Sequence, residues 1–348
     1  TLRRIAVFRT LSPAPDNARA ADWDSDRDLT RDDGFYQLSL RGDYELTDDI
    51  TLTSITAYSR YNENYSVDRD GTPLKNAGVN ADGRVTSFNQ ELRLSGDMHG
   101  INWLIGGNYA KNKVRSANDI LTGDSTNTAI LPGGPWIAAS TTTITQDIRD
   151  WAIFGNVEAE VTQQLTLLAG ARYAKSKNDY TSCMTGDIGM QTTFGVLSDA
   201  ISGTPGAPLG PTSCLSMDAT TFENTRVPYT DSLNEDNFSW RLGVNYKPTQ
   251  DVLLYALTSR GYKSGSFPTL PASTTAQLTP VTQESVTAYE VGAKISALDR
   301  ALQFNIAAFH YIYKDKQIRG LVIDPVFNQL EKLVNVPKSR INGAEVEI

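Results

Sequence analysis

The sequence predicts an all-β protein, part of an antiparallel, up-and-down β-barrel that crosses a membrane. Three observations predict this fold class. Long strands recur along the 348 residues, their connections alternate between very short and very long, and one face of each hairpin carries no charge. Side chains alternate between the two faces of a strand, so a pattern of period two assigns each residue to a face.

The clearest hairpin covers residues 149–178. Its first strand alternates apolar residues such as Trp151 and Ile153 with polar residues such as Glu158. After a short turn at 162–164 the same alternation resumes, which predicts two strands joined by a tight turn.

About twelve strands of this kind follow one another. They are predicted at 2–9, 35–46, 50–61, 86–96, 101–112, 149–161, 165–178, 237–247, 251–265, 286–296, 301–313 and from about 340 onward. Strand direction reverses at each connection, so all the short turns lie at one end and all the long loops at the other. That asymmetry is typical of outer-membrane barrels, whereas several loops beyond about 15 residues are uncommon in a compact soluble domain.

The apolar rows of six strands contain no charged residue, although 21% of the chain is charged. A charge facing lipid near the bilayer midplane costs roughly 2–4 kcal/mol, so contact with lipid explains the pattern. Tyrosines recur near strand ends, where an aromatic girdle is expected. We therefore expect lipid, and not a second protein layer, against Trp151, Trp240 and Tyr289.

The opposite rows carry charges. Two interpretations stay open for them: a polar lumen wetted by water, or sockets for charges on a body that occupies the lumen. The candidates are Glu91, Arg93, Glu158, Glu160, Arg172, Arg241, Glu290 and Lys294.

Both cysteines, Cys183 and Cys214, fall in the longest predicted loop, at 179–236. A disulfide in an oxidising compartment is the preferred interpretation, and a reduced pair is the alternative. In the chain-entropy model, closing this loop contributes roughly 3–4 kcal/mol.

Other chemistry is sparse. The net charge of −8 argues against nucleic acid as a partner. The two histidines lie apart from other ligand-type clusters, and no motif indicates catalysis or a cofactor. An acidic loop at Asp22, Asp24, Asp26 and Asp28 is read as solvated, with a weak Ca²⁺ site as the alternative.

Ligand capture by the long loops is expected to use exposed aromatic side chains. Local packing is the alternative role for each candidate. The candidates are Tyr65, Trp136, Phe194, Tyr229, Phe267 and Phe327.

Several phrases in order resemble the barrel of TonB-dependent outer-membrane receptors over about residues 34–348. They include ITLTSITAYSRY, SFNQELRLSG, INWLIGGNYA, WAIFGNVEAEVTQQLTLLAGARY, LLYALTSRGYKSGSF and TAYEVGAKIS. The resemblance implies a 22-stranded barrel in the bacterial outer membrane with an N-terminal plug. It also implies uptake of a scarce ligand, often a ferric siderophore, with energy relayed by the TonB complex.

The chain departs from that family pattern. It shows no plug, no TonB-binding segment and no final strand with a terminal aromatic residue, and neither terminus looks natural. We therefore expect residues 1–348 to be part of a single barrel domain whose plug and C-terminal strands lie outside this chain. The rival functions are a passive porin-type channel and a soluble β-sandwich binding or adhesin domain. The ligand itself cannot be read from these loops.

Overall fold

A computed structural model describes residues 16–20, 22–24, 26–124, 130–131, 133–324, 326 and 328–348. Its main element is an antiparallel sheet of eleven strands, in which each strand pairs with the next one along the chain. The strands are β1 (Gly34–Thr47), β2 (Ile50–Val67), β3 (Gly78–Met98), β4 (Ile101–Leu121), β5 (Ala139–Glu160), β6 (Leu165–Gly186), β9 (Tyr229–Thr249), β10 (Val252–Lys263), β11 (Glu284–Ala297), β12 (Leu302–Asp324) and β13 (Asn328–Glu347).

The remaining elements lie between β6 and β11. They are the helix α1 (Ile188–Ser202), a two-stranded sheet of β7 (Cys214–Met217) and β8 (Asn224–Arg226), and a short 3-10 helix (Thr275–Leu278). Within the described residues, no helix is long and apolar enough to cross a membrane.

The five short turns are confirmed at one end of the sheet. They occupy residues 48–49, 99–100, 161–164, 250–251 and 298–301. In the β3–β4 turn both linking residues have positive φ, 53° at His99 and 80° at Gly100, the condition that a two-residue type I′ hairpin turn imposes. Short connections therefore fix the strand order and the register of each hairpin.

Eight of the strands, with 18 to 23 residues, are longer than the predicted 10–14, whereas β1, β10 and β11 have 14, 12 and 14 residues. The β4–β5 ladder, for example, continues as far as the pair Leu121 and Ala139. The apolar alternation stops earlier because it marks only one band of the strands, whereas backbone pairing does not depend on it. For the same reason β13 begins at Asn328 and not near Arg340.

The predicted strand at 2–9 lies outside the described residues. Every predicted strand from residue 35 onward is present in the main sheet. Most have extended bounds, whereas β10 is shorter than the predicted 251–265. The edge strands of this sheet are β1 and β13, so the eleven strands do not close on themselves.

The apolar face of the sheet is exposed. Trp151 is 42% and Tyr289 48% accessible, and Trp240 is partly accessible. In the described part of the chain no second sheet lies against these residues, and α1 contacts only β6, β7 and β8. The β-sandwich alternative is therefore wrong, because a sandwich buries one face of each sheet against the other.

Candidate functional site: a charged luminal face below a folded cap

The face opposite the apolar rows is called the luminal face here. It carries Glu158 on β5 and Arg172 on β6, and its charged residues form one ion pair between strands and one within β3. Arg241 Nη2 lies 3.9 Å from Glu158 Oε1, and Arg93 forms an ion pair with Glu91. The structure thus brings together four of the eight predicted luminal residues in two pairs.

Arg172 links three strands. Its Nη2 donates to Asn108 Oδ1 on β4 at 2.9 Å, and its guanidinium lies 5.5 Å from the ring centre of Phe154 on β5. A guanidinium that stacks on a ring and donates in the plane keeps a fixed direction. Arg172 therefore presents a positioned positive charge to the lumen.

Glu290 and Lys294 lie further along the sheet, on β11. Glu290 Oε1 accepts a hydrogen bond from the Tyr255 hydroxyl at 2.8 Å. Both residues line a cavity of 530 Å³ together with Glu345 and Glu347 of β13. Glu160 lies apart from this group, exposed at the turn end of β5.

These luminal ion pairs add little to stability. The side chains of Arg241 and Glu158 are 49% and 43% accessible, and solvent-exposed pairs of this kind contribute roughly 0–1 kcal/mol. Their arrangement therefore leaves charge available to a partner that enters the lumen.

At the loop end, three segments fold into one body, called the cap here: residues 130–138, 187–228 and 264–283, apart from residue 132. Its helix α1 begins at Asp187, whose carboxylate accepts from Met190 N at 2.8 Å and from Ala138 N at 2.7 Å. It ends at Gly203, where φ is 72° and the amide donates to the Asp199 carbonyl at 3.0 Å. One carboxylate therefore caps α1 and fixes the neighbouring segment.

The cap has its own apolar core. Its buried members in the cap are Ile137, Met190, Phe194, Leu215 and Met217, and Met184 of β6 and Val326 of the β12–β13 connection complete the cluster. The sulfurs of Cys183 and Cys214 are joined in a disulfide that ties β7 to β6. Cys183 lies within β6 and not in a loop, because the β5–β6 ladder continues to Gly186.

The segment at 264–283 is held to the rest of the cap by hydrogen bonds. Ser216 Oγ donates to the Ala272 carbonyl at 2.8 Å, and Met217 N donates to the Ser273 carbonyl at 2.8 Å. These contacts connect the β10–β11 loop with β7, so the two segments are held to one another.

The cap covers the luminal face and not the apolar face. Ile144 on β5 and Tyr180 on β6 are 1% and 2% accessible, and both are an even number of residues from Glu158 and Arg172 on the same strands. Side chains an even number apart share a face. The cap therefore packs against the upper part of the surface whose lower part carries the luminal charges.

A second small cluster joins the cap to the sheet. Tyr180 packs with Ile144 and Phe267, and Tyr229 lies against them with its hydroxyl 3.0 Å from Asp231 Oδ2. Burial raises the pKa of Tyr180, and burial together with the Asp231 carboxylate raises the pKa of Tyr229.

Two of the aromatic candidates are corrected. Phe194 is 0% and Phe267 2% accessible, so neither is an exposed loop aromatic. Phe194 is on the inner side of α1 in the cap core, and Phe267 is stacked on Tyr180. Both residues therefore have the alternative role, local packing.

The other aromatic candidates are partly accessible. Tyr65 has the guanidinium of Arg31 5.7 Å from its ring centre and borders a cavity of 240 Å³. Trp136 and Tyr229 are half-buried in the cap region. Phe327 lies outside the described residues.

The carboxylates of the acidic loop do not converge on one point as ligands of a cation would. Asp26 pairs with Lys75 Nζ at 2.8 Å, and an Asp24 oxygen accepts from the Asp26 amide at 3.2 Å. The Lys75 ammonium holds the pKa of Asp26 below its usual range. Within the described residues no group of three or more His, Cys, Asp or Glu is placed to hold a metal ion.

An antiparallel up-and-down sheet with an exposed apolar face, short turns at one end and a folded cap at the other defines a membrane β-barrel class of receptor and transporter. The sequence matches the family described as TonB dependent receptor-like, beta-barrel, over residues 3–348. The chain belongs to this family. Its members are transporters of the Gram-negative outer membrane that bind TonB and siderophore or metal-complex ligands.

Solved structures share the fold. The ferric yersiniabactin uptake receptor FyuA from Yersinia pestis superimposes with a TM-score of 0.65 at 17% identity, covering 92% of this chain and 40% of that one. The siderophore receptor PiuA from Acinetobacter baumannii gives 0.61 at 16% identity, with coverages of 94% and 45%. The copper transporter OprC gives 0.58 at 12% identity, with coverages of 90% and 43%. The chain thus spans less than half the length of these proteins.

Proposed function

We propose that this chain is the central part of the barrel of a TonB-energised outer-membrane receptor that imports a scarce small molecule, an iron chelate such as a ferric siderophore. Its plug and its remaining strands lie outside residues 1–348, in one barrel domain with them. The observation that carries the proposal is a folded cap above a charged luminal face in a member of this family. Two of the similar structures are a ferric yersiniabactin uptake receptor and a siderophore receptor.

The luminal charges receive the plug in this proposal. Arg172 is held by Asn108 and Phe154, and the Arg241–Glu158 pair is only loosely formed at 3.9 Å. Charges that add little to the stability of the sheet are suited to a partner that docks and moves.

The ligand is captured at the loop end. Of the aromatic candidates, Tyr65 near the loop end of β2, Trp136 in the β4–β5 connection and Tyr229 at the start of β9 retain accessible surface there. Planar side chains with a polar atom bind a drug-sized chelate through contact area and one directed hydrogen bond.

The test uses the full-length protein in a deletion strain grown under iron limitation. Uptake of radiolabelled ferric citrate, a ferric catecholate and a ferric hydroxamate is measured with and without TonB. We expect accumulation of at least one complex that needs both the gene and TonB. Uptake independent of TonB, together with a large constitutive single-channel conductance, would support the porin alternative instead.

The plug contact is tested by Arg172→Ala in the same strain. We expect uptake to fall severalfold, while the free energy of unfolding changes by no more than roughly 1 kcal/mol. Arg300→Ala is the matched control, because its ion pair with Asp251 at 3.5 Å is at the turn end and outside the luminal face. Equal uptake by the two variants would contradict the proposed plug contact.

A further inference from the structure

Basic side chains form a row on the apolar side of the sheet, just beyond its apolar band. Lys111 on β4 is opposite Arg149 on β5, and Arg149 is opposite Lys177 on β6. Two residues nearer the turn end the same three strands carry Tyr109, Trp151 and Lys175. We call Lys111, Arg149 and Lys177 the basic row.

This arrangement is unfavourable for the sheet alone, because like charges directly opposite each other destabilise a strand pair. Two carboxylates offset it in part. Asp147 Oδ1 lies 2.9 Å from Arg149 Nε, and Asp179 Oδ1 lies 3.0 Å from Lys177 Nζ. Positive charge remains in excess at this place, in a chain whose net charge is −8.

A polar cavity of 760 Å³ borders the basic row on its loop side. Two further cations, Lys113 and Arg115, line it, and both are exposed. The cavity is also lined by the hydroxyl groups of Thr145 and Thr181 and by the carboxylates of Asp147, Asp179 and Asp231. Ammonium, guanidinium and hydroxyl groups around one opening are the donors that phosphate oxygens accept from.

An apolar cavity of 640 Å³ lies on the turn side of the basic row. Gly107 and Gly155 leave its floor open, since neither carries a side chain on this face. Its walls on the apolar face are Leu92, Leu94, Ile105, Ile153, Tyr173 and Phe238. The basic row and the nearer part of this cavity are about four residues apart along β4, or roughly 13 Å.

The two ends of the sheet differ in charge. The turn end is mostly acidic, with carboxylates at Asp48, Asp49, Asp97, Asp251 and Asp299. An anionic headgroup is therefore favoured only at the loop end, above the aromatic pair of Trp151 and Tyr173, whose ring centres are 5.7 Å apart.

We propose that the basic row and the two cavities beside it form a binding site for a lipid with phosphate on its headgroup and several acyl chains. The phosphate lies between Lys111, Arg149 and Lys177, the rest of the headgroup extends toward Lys113 and Arg115, and the chains enter the apolar cavity. This proposal rests on the proposed function, in which the chain lies in the outer membrane with its loop end outside. It adds one bound lipid to that description.

Binding is measured by native mass spectrometry and calorimetry on the full-length protein in detergent. The probes are a bisphosphorylated, six-chain lipid A, phosphatidylcholine and inorganic phosphate. We expect lipid A to bind at least tenfold more tightly than phosphatidylcholine, and inorganic phosphate not to displace it. Equal binding of the two lipids, or displacement by phosphate alone, would overturn the proposal.

Two variants separate the parts of the site. The double variant Arg149→Gln/Lys177→Gln is expected to lose at least tenfold in lipid A affinity, because it removes two charged donors. Gly155→Leu is expected to weaken lipid A binding severalfold by filling the apolar cavity. Arg260→Gln is the matched control, a cation at the loop end of β10 on the same face but outside the row, expected to bind within twofold of the original protein.

Thermal unfolding checks that each variant is folded, and the single variant Lys177→Gln replaces the double one if that fails to fold. Unchanged affinity in every basic-row variant would overturn the proposal. The lipid site and the proposed uptake function can fail separately. If the protein binds lipid A but takes up no ferric complex, the uptake proposal is contradicted and the lipid site is not. If brominated acyl chains do not quench the fluorescence of Trp151, the membrane placement and the lipid site both fall.

Discussion

Tyr180 on β6 stacks on Phe267 of the β10–β11 loop with ring centres 4.4 Å apart and an interplanar angle of 4°. The Tyr180 hydroxyl also donates to the Pro268 carbonyl at 3.0 Å. Both groups are buried, so a strand of the sheet and a distant loop are fixed to one another at this contact.

The stack holds the segment at 264–283 in place. We expect Phe267→Ala to loosen this segment by about 3–5 kcal/mol, the range for removing a buried phenyl ring. Tyr180→Phe keeps the stack and removes one hydrogen bond, for a loss of about 1 kcal/mol. Hydrogen exchange of the amides at 264–283 in the full-length protein measures both. Similar protection in the two variants would show that the stack is not what holds the loop.

Gly189 in the first turn of α1 approaches the backbone of another segment. A Cβ placed there lies 1.9 Å from the Trp136 carbonyl oxygen, whereas a Cβ at Gly195 meets only Leu209 Cδ1 at 3.9 Å. We therefore expect Gly189→Ala to destabilise the cap, because backbone must move. Gly195→Ala in the same helix is the control, expected to stabilise by up to about 1 kcal/mol through helix propensity. Limited proteolysis of the cap measures both, and equal rates would contradict the close approach.

The Cys183–Cys214 disulfide closes a separation of 31 residues. In the chain-entropy model it contributes about 3–4 kcal/mol to the cap. We expect reduction to increase cleavage at residues 203–213 while the strand signal in circular dichroism stays unchanged. The variant Cys183→Ser/Cys214→Ser should be cleaved rapidly with or without reductant. A loss of strand signal on reduction would mean that the bridge holds the sheet and not only the cap.

Ile153 lies in the apolar row and is 60% accessible. We expect Ile153→Arg to cost about 2–4 kcal/mol in lipid, because a charge facing hydrocarbon must be desolvated. Asn156→Arg on the luminal face of the same strand is the control and should cost much less. Urea unfolding of the full-length protein in vesicles measures both, and equal costs would contradict the assignment of the two faces.

Tyr229, at the loop end of β9, makes the cap sensitive to alkali. Burial and then the Asp231 carboxylate raise the pKa of its phenol, whereas in the unfolded chain a tyrosine ionises near pH 10. The raised folded-state pKa means that this stabilisation is complete below about pH 10 and is lost as pH rises above it. We expect faster amide exchange in the cap above about pH 10. Tyr229→Phe, which has no phenol to ionise, should show a smaller increase; an equal increase would exclude this residue as the cause.

The sheet was predictable because its determinants are local. Apolar alternation with period two assigns faces, and short connections such as 48–49 and His99-Gly100 leave few ways to join neighbouring strands. The upper parts of the strands were missed because they lack that alternation. In β5, for example, Thr141, Thr142 and Thr143 place threonine on both faces. Thr142 and Ser182 show why: each is buried under the cap, where lipid does not select the side chain.

The helix α1 was missed although its sequence carried a signal. Met190, Phe194, Leu197 and Ile201 follow helical spacing, and Asp187 and Gly203 are the residue types expected at its two ends. The buried positions of Phe194 and Phe267 were less accessible to prediction. Phe267 packs against Tyr180, 87 residues earlier in the chain, and Phe194 shares a core with Ile137, 57 residues earlier. No local pattern encodes such contacts.

The length of the strands has a consequence for where this protein works. A strand of 23 residues such as β12 extends roughly 75 Å, or about 60 Å in height at a typical barrel tilt, against an apolar band about 25 Å tall. More than half of such a strand therefore rises clear of the hydrocarbon. The cap packs against the loop ends of β5 and β6, which have 22 residues each, so it lies well outside the bilayer surface.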